Sequence, residues 1–247
     1  MFDHFLNGVL PIFSIGILGF FLGKRQIFTF EAAMILNKFV MLIAVPSLIF
    51  LLLSKAPVSE FNFKMLSGYF FTEITIYLAG FLIAKFIFYR ETKEALLIGL
   101  CISLTNHVLF VLPIAETLFG PEYAKPIISI IFMDGLILFA GTIILLDILA
   151  TKALTFSDTF KKIIFNPPLV ALLAGLVFGL SRSEIPVGFE VFLNAIAVSA
   201  SPVLLFALGI ILSRPYKNAN LALPLAMTSI KLFIHPIFAW IIFTTAL

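Results

Sequence analysis

Charge is scarce in this 247-residue chain: Asp, Glu, Lys and Arg make up 12% of it, against 62% apolar residues. A soluble domain carries about 25% charged and 45–50% apolar residues. Too few polar side chains are present to clothe a water-facing globule. The single cysteine, Cys101, excludes a disulfide framework and a cysteine metal cage. A net charge of +3 is too small to point to a polyanion, so nucleic acid is not an expected partner. No G-x-S-x-G, H-E-x-x-H, Walker or G-x-G-x-x-G motif occurs. Serines and aspartates scattered over separate helices make no catalytic constellation. No enzymatic activity, cofactor or metal site is expected.

What the chain has in quantity is apolar runs of membrane-spanning length. A helix needs about 20 apolar residues to cross the hydrocarbon. By that measure eight spans are expected, at 5–23, 31–54, 67–88, 94–118, 124–149, 167–181, 188–212 and 223–245. The fold class is an all-α, multi-pass integral membrane protein with lipid as its surroundings. The first run lacks a basic leading segment and a cleavage signal before Lys24-Arg25, and reads as a retained helix. Odd-numbered connections hold Lys24, Arg25, Arg90, Lys93, Lys152, Lys161, Lys162, Arg214 and Lys217, whereas even-numbered ones hold only Lys55, Lys64, Lys125 and Arg182. Basic loops stay cytoplasmic, which places both termini outside.

An internal repeat organises these spans. Pro11, Gly19, Gly23, Ala44, Pro46, Leu48 and Phe50 recur at Pro167, Gly175, Gly179, Ala200, Pro202, Leu204 and Phe206, each pair at the same offset of 156. The offset maps the first three spans onto the last three. Five spans per copy is an odd number, so the second copy enters the bilayer inverted, as in secondary transporters. The expected organisation is a first repeat over 1–150, a cytoplasmic linker over 151–166, and a second, incomplete repeat over 167–247. The arrangement is five plus three, with two helices of the second copy not encoded.

Within the fourth span, Ser103, Thr105, Asn106 and His107 lie close to Pro113. Proline removes one backbone hydrogen bond and crowds the carbonyl four residues earlier, here Leu109. A helix broken at bilayer depth is tolerated only where its free groups line a cavity, and its positive N-terminal end can hold a carboxylate. The substrate site is therefore expected around Asn106, His107, Pro113 and Thr105, the alternative being a proline kink packed among its neighbours. Pro46 with Ser47 and Pro202 with Ser201 occupy equivalent places in the two repeats. They supply further helix breaks and hydroxyls, or else paired kinks for packing. The glycines at spacing four are small faces for close helix approach.

Ionisable residues inside spans carry functional hypotheses. Asp134 lies deepest and could couple proton or sodium binding to substrate movement, or pair internally with Lys38 or His107. Glu73 is placed shallower and could simply be hydrated. Lys231 and His235 share one face of the last span and would face the missing helices.

The runs LNKFVMLIAVPSLIF (36–50), NPPLVALLAGLVFG (166–179) and SPVLLFALGIIL (201–212), with Asn106 and Pro113 seven apart, resemble the auxin efflux carrier family. Val108 and Val111 stand where the family pattern has glycine. The resemblance implies ten spans in two inverted five-helix repeats, broken fourth and ninth helices crossing at the substrate site, and outward termini. It also implies a transporter of small organic carboxylate anions, malonate-permease-like, working by alternating access in a bacterial inner membrane. Asn106 and Pro113 would be the crossover residues of the first repeat. The other reading of a chain with two helices fewer is a truncated, non-transporting fragment or one part of a split carrier. For protein partners the alternatives are a second copy or a complementing chain.

Overall fold

A computed structural model of the chain describes residues 10–56, 61–150, 165–181, 183–215 and 221–245. Among these, every regular element is helical. Six helical stretches are long and apolar enough to cross a membrane: α2 (Phe30–Ser54), α3 (Phe63–Ile87), α4 (Thr92–Phe119), α5 (Pro121–Leu146), α7 (Val187–Leu212) and α8 (Ala222–Thr245). Two shorter apolar helices, α1 (Leu10–Lys24) and α6 (Pro167–Leu180), complete the order. Most of the expected linker, residues 151–164, lies outside the described residues. Helices suit this composition because lipid offers no partner to a backbone N–H or C=O.

Local sequence sets where several helices start. Thr29, Asn62 and Asn166 cap α2, α3 and α6, their side-chain oxygens accepting from Ala32 N, Met65 N and Leu169 N. Such caps satisfy one of the orphan amides of the first turn. Outward faces are greasy: Phe63, Ile35, Trp240 and Val177 are each more than three-fifths exposed. In water an apolar surface of this extent would aggregate. In hydrocarbon it is simply wetted by lipid.

The chain forms two compact units, each built from three stretches: Met1–Val58, Asn106–Ile128 and Phe165–Lys217 in one, and Ser59–Thr105, Ser129–Ile164 and Asn218–Leu247 in the other. In the first unit, α1 packs along the Ala200–Leu212 part of α7, and α6 packs along the Val45–Ser54 part of α2. A Cβ on Gly19 would collide with the Phe206 carbonyl oxygen, and one on Gly175 would lie 2.9 Å from the Phe50 carbonyl oxygen. Only glycine lets these backbones meet. The second unit packs α3 against the Thr92–Ser103 part of α4, with α8 against both. Ile76, Ile102, Met227 and Ile230 form its buried apolar cluster.

Three helices carry a five-residue π turn ending two residues before a proline. These are Val40–Ala44 before Pro46, His107–Val111 before Pro113, and Ile230–Ile234 before Pro236. Proline has no N–H for the carbonyl one α-turn back. The chain widens there instead, with Val45, Leu112 and His235 donating to the carbonyls of Val40, His107 and Ile230. Pro46 therefore widens its helix without breaking it, against the sequence expectation. In α7 the interruption falls at Val198–Ser199, and Pro202 sits in the first turn of the segment that resumes at Ala200. A missing N–H costs nothing at that position.

Candidate functional site

The fourth helix lapses over Leu104, Thr105 and Asn106, a full turn and more ahead of Pro113. Leu104 and Asn106 adopt ψ of 122° and 73°, outside the helical range. Local chemistry explains the position. Asn106 caps the segment that follows, its Oδ1 accepting from Leu109 N at 3.1 Å, while Pro113 is absorbed by the π turn. The expected break is present, but the asparagine sets it and the proline does not. The division between the two compact units falls in the chain at the same place, between Thr105 and Asn106.

In the first unit the exposed Asn106 opens a helical segment whose first-turn N–H groups form a positive pole. Leu109, whose carbonyl loses its partner to Pro113, accepts instead from the Ser201 hydroxyl at 2.6 Å. Ser201 and the Asn106–Pro113 segment are thus brought together. Ser47, buried, spends its hydroxyl on the Ile43 carbonyl of its own helix. His107 is half-buried and engaged, and Lys38 stands exposed on α2. An apolar groove of about 300 Å³ between α1 and α7, closed by Phe13, Phe20 and Phe110, offers a carboxylate almost no polar partner.

Buried charge gathers in the second unit. Glu73 is 2% exposed and its Oε1 lies 2.8 Å from His235 Nε2. The other oxygen, Oε2, is buried without a hydrogen-bond partner. Asp134, 4% exposed, accepts from the Tyr69 hydroxyl at 2.8 Å. Tyr69 also lies within the electrostatic reach of Glu73. Lys231 donates to the carbonyls of Leu104, Cys101 and Ile102 at 2.6, 3.0 and 3.3 Å. These are orphan acceptors at the end of Thr92–Ser103, the negative pole of that helix. A lysine at mid-membrane costs roughly 2.5–3.5 kcal/mol. Hydrogen bonds to a charged group return about 1.5–3 kcal/mol each, enough to offset it.

Two expectations are corrected here. Glu73 is not left to hydration: it is among the most fully buried side chains of its helix. Lys231 and His235 do not face outward, because both have partners on α4 and α3. Asp134 is buried within the protein, and Tyr69 is a partner that sequence reasoning did not name. The signal was available: an intramembrane carboxylate requires a donor or cation, and His235 and Lys231 were among the few in the spans.

The sequence pattern of one protein family, described as membrane transport protein, matches residues 4–157 and 153–247. The chain is 24% identical over 241 residues to a protein of Rhizobium meliloti (strain 1021) named "Putative malonate transporter", covering 94% of this chain and 74% of that one. It is 26% identical over 239 residues to an "Uncharacterized transporter" of Methanothermobacter thermautotrophicus (strain Delta H), covering 94% and 76%. Apolar helices of spanning length, a helix interrupted over Leu104–Asn106 and a whole-chain family match agree: the chain is an integral membrane protein of the membrane transport protein family, that of the auxin efflux carriers.

Proposed function

We propose that the protein is a secondary transporter of small organic carboxylate anions, working by alternating access in a bacterial inner membrane with both termini outside. The substrate carboxylate is held at the Asn106 end of the His107–Phe119 segment, with Thr105, His107, Pro113, Ser47 and Ser201 around it. Proton or sodium coupling falls to Asp134 and Glu73, with Lys38 as the further candidate. The observation that carries the reading is the capped, interrupted helix: Asn106 holds a helix N-terminus at mid-span, where its amides can receive an anion. The malonate in a relative's name suits the same chemistry.

The eight apolar helices are spans, arranged as two inverted copies over 1–150 and 167–247. Reciprocal packing supports this. Gly19 on Phe206 and Gly175 on Phe50 are the same contact displaced by 156 residues in each partner. The packing of Phe30–Phe39 on Ala200–Leu212 is likewise returned by Val187–Ala197 on Val45–Ser54. A two-fold relation between copies produces such exchange.

Uptake of radiolabelled malonate into proteoliposomes tests the assignment. Asn106→Ala removes the cap, and uptake should fall at least tenfold with the protein still folded. Uptake indifferent to Asn106→Ala and to Asp134→Asn would end the site assignment.

A further inference from the structure

The partly buried amine of Lys231 meets three peptide oxygens. Its three acceptors, the carbonyls of Leu104, Cys101 and Ile102, all come from the closing turn of Thr92–Ser103 and the residue after it. A neutral amine carries two N–H donors and an ammonium three, so three acceptors match the donor count of the charged form. Carbonyls that converge at the negative end of an interrupted helix are what transporter folds offer to a coupling cation. The surrounding charge has the matching sign. Glu73 and Asp134 act on Lys231 electrostatically, and Glu73 Oε2 is buried with no hydrogen-bond partner. Three carbonyls at a helix end, with two buried carboxylates within electrostatic reach, together describe a monovalent cation site.

We propose that this is a cation site with its cation built in: the Lys231 ammonium permanently takes the place an alkali ion would hold. Resting on the transport reading above, this decides between its two coupling ions: uptake needs neither sodium nor potassium. The site has no vacancy for either. Removing the side chain beyond Cβ should turn the tethered cation into a dissociable one, and the group missing from Lys231→Ala is n-propylammonium.

The experiment is thermal unfolding of the full-length, detergent-solubilised protein in choline, sodium, n-propylammonium or tetramethylammonium chloride at equal ionic strength. The wild type should unfold at the same temperature in all four salts. Lys231→Ala should unfold at least 5 °C lower in choline and recover most of that loss, saturably, with n-propylammonium. Tetramethylammonium, which has the charge but no N–H, should give no recovery. A saturable sodium stabilisation of the wild type overturns the proposal whether or not the variant folds. So does a folded Lys231→Ala indifferent to n-propylammonium. Malonate uptake by the wild type with sodium replaced by choline completes the test. Absence of uptake in either salt refutes the transport reading and leaves the cation result standing, whereas sodium-dependent uptake refutes the built-in cation alone.

Discussion

The two compact units hold their helices together by different chemistry. In the first, glycines bring backbones into contact, α1 against α7 and α6 against α2, and the polar groups present are mostly hydroxyls bonded to carbonyls. In the second, buried carboxylates and partly buried cationic groups do the joining: Glu73 with His235, Asp134 with Tyr69, and Lys231 with a helix end. Lipid is as apolar as leucine, so apolar side chains gain little by leaving it for one another. Close van der Waals contact and hydrogen bonds are what remain. Glycine contact is not confined to the first unit, since a Cβ on Gly99 of α4 would lie 2.7 Å from the Tyr77 carbonyl oxygen of α3; what the second unit adds is buried carboxylates with partners. The glycine contacts have no group that can change charge, while the buried pairs do.

The largest expected effect comes from the second unit. His235→Ala removes the histidine beside the buried Glu73 carboxylate, and losing one member of a buried pair costs about 3–5 kcal/mol. Unfolding of the purified protein in mixed micelles should show that loss, and the double change Glu73→Leu with His235→Leu should recover most of it. A His235→Ala protein as stable as the parent would break the comparison.

The glycine contacts come next. Gly19→Ala and Gly175→Ala each force a methyl against a carbonyl, and overpacking of this kind costs about 1–3 kcal/mol. Because the two contacts are copies at one offset, their costs should agree within about 0.5 kcal/mol and add in the double variant. Widely unequal costs would argue against the inverted repeat.

The smallest effect is expected at the ion pair of the first unit, Lys55 with Glu190, whose side chains are 57% and 32% exposed. Water screens such a pair, and Lys55→Ala should change stability by less than about 1 kcal/mol. A larger change would mean that charge matters structurally in both units.

The helical stretches were legible because hydropathy acts locally: the expected second span, 31–54, is the helix Phe30–Ser54, and 223–245 is Ala222–Thr245. The repeated prolines and glycines were legible because few other residues can sit where two backbones touch. The interruption in α4 was read in the right helix and ascribed to the wrong residue. Proline forbids one hydrogen bond, but a π turn can accommodate that loss, whereas an Asn106 cap needs non-helical backbone to work. Glu73, His235 and Lys231 were misjudged because burial depends on neighbours far along the chain. Lys231 and its carbonyls are 127 to 130 residues apart.

The sequence by itself determined an all-helical membrane protein, the position of its apolar helices, and a duplicated pattern of proline and glycine. Each of these follows from the solvent and from steric rules that act within a turn or two. Only the tertiary structure decided which ionisable residues are sealed inside and what they meet. A charge in hydrocarbon is stable only against a partner, and partners are chosen by packing over distances no local pattern records.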